Sequence, residues 1–199
     1  LGDVYKRQVW YLASARRSAF RMSVTDQVTG LFNRSAFEKY LNESEPHTFS
    51  HTVCVYIDVN GLHELNNKHG HEAGDQMLRA VAANLDEQFR SKRLYRIGGD
   101  EFLIIMRNIK DSRLPLMKAD ELRAGIEKLG LEADVRVPLS ISVGVSFYPV
   151  DGTDDAVLLY KADKALYEAK KRGKNNCVIY SKELENEPFM SQITAAESE

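Results

Sequence analysis

The chain has 199 residues, 43% hydrophobic and 28% charged, with a net charge of −2 and a pI near 6.3. That length and apolar content suit one domain with a real core. The slightly acidic balance argues against polymeric nucleic acid as a partner, because a phosphate backbone selects a strongly basic face. Cys54 and Cys177 lie in the apolar runs VCVYI and NCVIY and read as small core hydrophobes rather than a disulfide framework, which fits the cytosol.

The sequence does not open on Met, and residues 1–8, LGDVYKRQ, match no pattern and read as an assembly remnant. VWYLASARRSAFRMS sets aromatic and aliphatic residues before Arg16, Arg17 and Arg21, the order found at the cytoplasmic end of a membrane helix. An ordinary amphipathic lead-in helix gives the same pattern. The expectation is a juxtamembrane or signalling helix over 1–24, with an upstream sensor or membrane segment missing. The remainder is then a cytoplasmic domain, tethered to the inner face of the cell membrane in the first of these readings.

In TDQVTGLFNRSAFEKYL, Thr29-Gly30 breaks the pattern, and Phe37 and Leu41 mark a short helix with Ser35 as its cap. HTVCVYIDV is a buried strand ending at Asp58, NGLHELNNKHG a short helix or turn, and GDQMLRAVAANLDEQF carries Met77, Val81, Leu85 and Phe89 at helical spacing. LYRIGGDEFLIIM reads as a hairpin whose two-residue Gly98-Gly99 turn takes positive φ. A helix through Leu116, Leu122, Ile126 and Leu129 follows, then LSISVGVSFYP as a strand, DAVLLYKADKALYEAKKRG as a long helix stopped by Gly173, and CVIY as a last strand. This order predicts an α/β (α+β) domain over 25–181, with a central mixed five-stranded sheet flanked by helices and a disordered tail over 182–199.

Asp58 ends one strand, while Asp100 and Glu101 follow the hairpin glycines. If those strands are neighbours, three carboxylates converge, and they cannot all stay ionised without a cation between them. Hard oxygens select Mg²⁺ or Mn²⁺, whose remaining positions go to water and substrate phosphate, which points to a nucleoside triphosphate. Taken alone, the two turn carboxylates also read as solvated charge. Lys170, Lys171, Arg172 and Lys174 are within reach of triphosphate oxygens, or are a solvated basic turn favoured by the helix dipole. Asn66 and Asp75 carry groups complementary to guanine, with ordinary loop polarity as the alternative. His63, His69 and His71 match no standard zinc spacing and lack cysteine partners. No GxxxxGK[ST] or GxGxxG loop is present.

Read together, TGLFNR (29–34), IDVNGLHELNNKHGHEAGD (57–75), YRIGGDEF (95–102), LSISVGVS (139–146) and ADKALYEAKKRGKN (162–175) resemble the GGDEF family of diguanylate cyclases over roughly residues 25–181. The resemblance implies a palm-like nucleotidyl-cyclase fold with five strands. It implies Mg²⁺-dependent condensation of two GTP into cyclic di-GMP with release of two pyrophosphates. By position it implies Asp58, the backbone carbonyl of Val59 and Asp100 as metal ligands with Glu101 beside them, and Asp100 as general base. It further implies Asn66 and Asp75 as guanine readers, His71 as the histidine of that loop, and Lys170 and Lys174 as a phosphate-binding pair. One domain holds one GTP, so it also implies a two-fold homodimer.

Asn60, Leu62, His63 and Asn67 depart from the family pattern DIDxFKxIND, and His63 replaces a fixed positive charge by a mostly neutral, shorter group, which weakens phosphate stabilisation. The family's product-inhibition motif RxxD would fall on Phe89 and Lys92 and is absent, so no feedback inhibition is expected through it. The rival reading is a catalytically weak or inactive module that binds GTP or dimerises. The retention of Arg96, Gly98, Gly99, Asp100, Glu101 and Phe102 weighs against it. A cyclase making a 3′,5′-cyclic mononucleotide would share the palm but not this motif set.

Overall fold

A computed structural model describes residues 23–43, 51–91, 93–132 and 137–186. Residues 1–22 of the expected lead-in helix, Lys92, and the expected tail from residue 187 onward lie outside them.

The architecture follows from one strand. Thr52–Asn60 (β2) is buried at all nine positions, as expected of a strand covered on both faces. Its side chains alternate, so Val53, Val55, Ile57 and Val59 enter one core while Cys54 and Tyr56 enter the other. The remaining elements are β1 (Phe32–Asn33), α1 (Arg34–Glu43), α2 (Leu62–His69), α3 (His71–Phe89), β3 (Leu94–Arg96), β4 (Glu101–Arg107), α4 (Arg113–Glu132), β5 (Ser140–Tyr148), α5 (Asp155–Lys171), β6 (Cys177–Ile179) and a 3₁₀ turn over Lys182–Asn186. The sheet order is β1-β3-β4-β2-β5-β6. β2 runs antiparallel to both β4 and β5, and β3 antiparallel to β4, while the two edge strands pair in parallel with β3 and β5.

α2, α3 and α4 cover the Val53 face, with Met77, Val81, Leu85 and Phe89 of α3 all buried there, as their spacing predicts. α1 and α5 cover the opposite face through Phe37, Leu158, Ala162 and Leu166. The fold is thus the expected mixed α/β one, with six strands rather than five. The addition, β1, pairs only Phe32 with Tyr95 and Asn33 with Arg96, too short to leave a period in the sequence.

Three local expectations are corrected. Asn33, not Ser35, caps α1, its Oδ1 accepting from the Ala36 N–H at 2.9 Å. The hairpin joins β3 and β4 by a wider connection over residues 97–100, closed by the Ile97 N–H on the Glu101 carbonyl at 3.0 Å. Neither Gly98 nor Gly99 needs positive φ there; among the described residues the glycines that adopt it are Gly30, Gly61, Gly70 and Gly173. Gly98 serves packing instead, since a Cβ would lie 2.3 Å from Glu101 Oε2. The chain also stays folded past residue 182, because Leu184 is buried against Ala165, Ala169, Val178 and Tyr180, a single apolar anchor in a polar stretch.

Candidate active site at the β2–β4 end

The antiparallel register sets Asp58 opposite Glu101 on one side and Ser142 on the other. The Val59 N–H donates to the Asp100 carbonyl at 2.9 Å, which carries the ladder into the turn and brings Asp100 beside Val59. The Tyr56 hydroxyl donates to Glu101 Oε1 at 3.2 Å. Two neighbouring strands therefore align the acids named from the sequence, and Tyr56 is an addition that its place inside an apolar run concealed.

Asp58 is only 6% exposed. Burial pushes its carboxyl up from the ordinary range, the Lys170 ammonium pulls it back, and Asp100 and Glu101 push it up again. Lys170 Nζ lies 2.5 Å from Asp58 Oδ2. Among the described residues no three His, Cys, Asp or Glu side chains form a metal-holding group. The expected convergence of three carboxylates is thus an aligned pair with Asp100 next in the chain, and the cation at Asp58 is a lysine. The groups that could hold a divalent ion are Asp58, Asp100, Glu101 and the Val59 carbonyl. These are hard oxygens, and the buried carboxylate among them already takes a positive partner, so the residues fit such an ion.

The basic residues at the end of α5 and just beyond it separate. Lys171 and Arg172 pair with Glu168 at 3.9 and 2.7 Å, Lys170 turns to Asp58, and Lys174 is exposed with φ +62.

Asn66 on α2 and Asp75 on α3 lie on either side of the junction between these helices, where Gly70 adopts φ +84. The buried Asn66 Oδ1 accepts no hydrogen bond, and a Cβ at Gly74 would stand 1.9 Å from it, so Gly74 makes the room that Asn66 occupies. The glycine preceding Asp75 was the signal for this, and sequence reasoning passed over it. Asp75 is half-buried and His71 exposed. His63 is exposed too, with its Nε2 3.0 Å from Asn67 Nδ2 one turn along α2.

Asn60 gains a physical account. Its Nδ2 donates to Ser140 Oγ and Ser142 Oγ, each at 3.1 Å, and the Ser142 hydroxyl donates to its Oδ1 at 3.3 Å. An aspartate here would lose both amide donations. Arg96 spans the turn and the chain before β1, with Nη2 donating to the Gly99 carbonyl at 2.7 Å and Nη1 reaching both Asp26 oxygens at 3.0 and 3.1 Å. Burial raises the Asp26 carboxyl, but bonds from the Thr29 hydroxyl and N–H and from Arg96 outweigh it and hold the group below its usual range. Phe89 belongs to the core, so nothing at that position faces a ligand.

Acids at one end of a central antiparallel ladder, helices on both faces and a lysine aimed at the buried acid define a carboxylate-bearing α/β domain. Residues 23–176 match the profile described as "Diguanylate cyclase, GGDEF domain", and the chain belongs to the GGDEF family. It is 32% identical over 186 residues to the cyclic di-GMP phosphodiesterase PdeR of Escherichia coli (strain K12), spanning 89% of this chain and 28% of that protein. It is 31% identical over 156 residues to the diguanylate cyclase TpbB of Pseudomonas aeruginosa (strain UCBPP-PA14), spanning 76% of this chain and 36% of that one. The fold matches the coiled coil and GGDEF domain of DgcB from Caulobacter crescentus, solved in complex with c-di-GMP, with a TM-score of 0.76 at 22% identity over 88% of this chain and 95% of that one. A GGDEF-only form of TpbB from Pseudomonas aeruginosa (PAO1) gives 0.68 at 27% identity over 81% and 96%. The curated relatives are much longer than the segment they share with this chain. No helix among the described residues is long and apolar enough to cross a membrane.

Proposed function

We propose that this domain is a diguanylate cyclase that condenses two GTP into cyclic di-GMP and two pyrophosphates, as a homodimer with Mg²⁺ or Mn²⁺. The observation that carries the reading is the cross-strand pairing of Asp58 with Glu101, with Asp100 tied by its carbonyl to Val59, in a chain that keeps the whole GGDEF signature. PdeR is named for breaking cyclic di-GMP, but only 28% of it is spanned, so that activity is not carried over.

A divalent ion, when bound, would polarise the α-phosphate and stabilise the attacking 3′-oxygen. Asp58, Asp100, Glu101 and the Val59 carbonyl would hold it, and Asp100 takes the proton of the 3′-hydroxyl. Asn66 and Asp75 read guanine, with His71 beside them, and Asn66 brings an amide oxygen that no protein group satisfies. Lys170 and Lys174 neutralise phosphate charge, and His63 adds a weaker contact than lysine would. Each domain holds one GTP, so two face each other, and specific activity rises with protein concentration where monomer gives way to dimer. The reading places the domain in the cytoplasm, where GTP is supplied, joined through residues 1–24 to an upstream sensor or membrane segment.

The departures at Asn60, Leu62, His63 and Asn67 favour a second reading, a weak or silent module that binds GTP or dimerises. Mass spectrometry of the products from GTP and from ATP with Mg²⁺ tests both. Cyclic di-GMP is expected from the wild type and none from Asp58→Ala or Asp100→Ala, with melting curves showing both variants folded. Turnover by either variant within a few-fold of wild type would remove the metal assignment. A 3′,5′-cyclic mononucleotide would reassign the reaction, and GTP binding without product would establish the module.

A further inference from the structure

We propose that Lys170 and a divalent cation exclude one another at Asp58, so that bare metal is held off the site until a nucleoside triphosphate takes the lysine away. The inference rests on the cyclase reading and adds an order of binding to it.

The ammonium of Lys170 contacts Asp58 Oδ2 at 2.5 Å, and the pair is sheltered, with the lysine side chain 20% and the aspartate side chain 9% exposed. A divalent ion binds a carboxylate oxygen at about 2.0–2.1 Å, so either oxygen of Asp58 would bring it within a few ångströms of that ammonium. Two cations cannot share that carboxylate without strong repulsion in a site mostly closed to water. Repulsion therefore makes the lysine and the metal compete for the carboxylate, each weakening the other's hold.

The protein also leaves Lys170 able to depart. It lies in the last turn of α5, on a flexible four-carbon stem, shortly before the chain breaks at Gly173 with φ +105. Its neighbours cannot stand in for it, because Lys171 and Arg172 are drawn to Glu168. A triphosphate carried in with the metal offers the ammonium several oxygens in exchange for the one it gives up. Metal and nucleotide then bind together more tightly than either binds alone, and Lys170 is the residue that couples them.

The test is calorimetric titration of MnCl₂ into the whole chain, at mildly alkaline pH, without nucleotide. Lys170→Met should bind Mn²⁺ about tenfold to a hundredfold more tightly than wild type, the range that a charge-assisted hydrogen bond represents. Lys170→Gln serves as a second variant should the methionine protein fold poorly. A slowly hydrolysed GTP analogue should raise Mn²⁺ affinity in wild type and do so much less in either variant. Equal Mn²⁺ affinities in wild type and variant would overturn the exclusion. Survival of Mn²⁺ binding in Asp58→Ala/Lys170→Met would overturn it by placing the metal elsewhere. Equal affinities together with loss of cyclic di-GMP synthesis in Asp58→Ala would sink the exclusion and leave the cyclase reading standing.

Discussion

Gly144→Ala should disturb this domain more than a methyl group added at Gly74 or Gly98, where the obstacle is a side chain. Gly144 lies mid-β5, between Tyr56 on β2 and Val178 on β6, with the backbone of α5 packed directly over it. An added Cβ would come 2.0 Å from the Ala162 carbonyl oxygen, 2.3 Å from the Leu166 nitrogen and 2.9 Å from Leu166 Cα. All three are backbone atoms of a helix, which cannot swing aside as a side-chain end can. Ordinary contact starts at 3.4 Å, so α5 must retreat by about 1.4 Å. That loosens a face on which Leu158, Ala162, Ala165, Leu166 and Ala169 are wholly buried. Overpacking a core costs roughly 1–3 kcal/mol, and a rigid obstacle places this case at about 3 kcal/mol. In a domain of this size that corresponds to a fall in Tm of about 6–12 °C. Thermal melts and urea titrations with an unchanged m-value would report it. Turnover should also drop well below the melting range, since Lys170 rides on α5. A Tm within about 2 °C of wild type would show that the helix does not pack as closely as the structure has it.

The Asp26 carboxyl sits below 3.8 in the folded protein, so its contribution is present above that value and is lost as pH falls through the folded pKa. Asp26→Ala should therefore lower Tm at neutral pH, and the gap from wild type should close in the acid range below 3.8; a gap that stays constant with pH would contradict the Arg96 pairing. Added cyclic di-GMP should not slow a progress curve through the family's inhibitory motif, because Phe89 is a core residue, and slowing without a rise in KM for GTP would refute this. His63→Lys should lower KM or raise kcat by about one charge-assisted contact, whereas an inert variant would show that the ring's place beside Asn67 lies outside phosphate reach.

Wherever periodicity decides the structure, the sequence was readable. The unbroken apolar run of β2 and the four-residue spacing along α3 produce the two faces of the core as expected. Asp58 stood out because a charge inside a buried apolar run conflicts with burial, but β2 does not end there as expected: it runs on to Asn60, whose side chain is held by Ser140 and Ser142. Pairing was not readable. Nothing local says that β2 lies between β4 and β5, and that order alone sets Asp58 against Glu101 and Ser142. The contacts that organise the site join residues far apart, 112 positions for Lys170 with Asp58 and 70 for Arg96 with Asp26, and no window on the sequence contains both ends. The hairpin glycines misled because Gly-Gly between apolar runs is the signal for a tight turn, while Gly98 answers to the Glu101 side chain.

Among the described residues the sheet ends on strands of two and three residues. An edge that short presents few unpaired amides and carbonyls, so a second chain has little to zip onto and strand-by-strand growth stops almost as soon as it starts. Stacking into fibres through these edges is thereby disfavoured. The same brevity weighs against edge-to-edge pairing through the described strands, so in the proposed homodimer helices and loops would carry the contact.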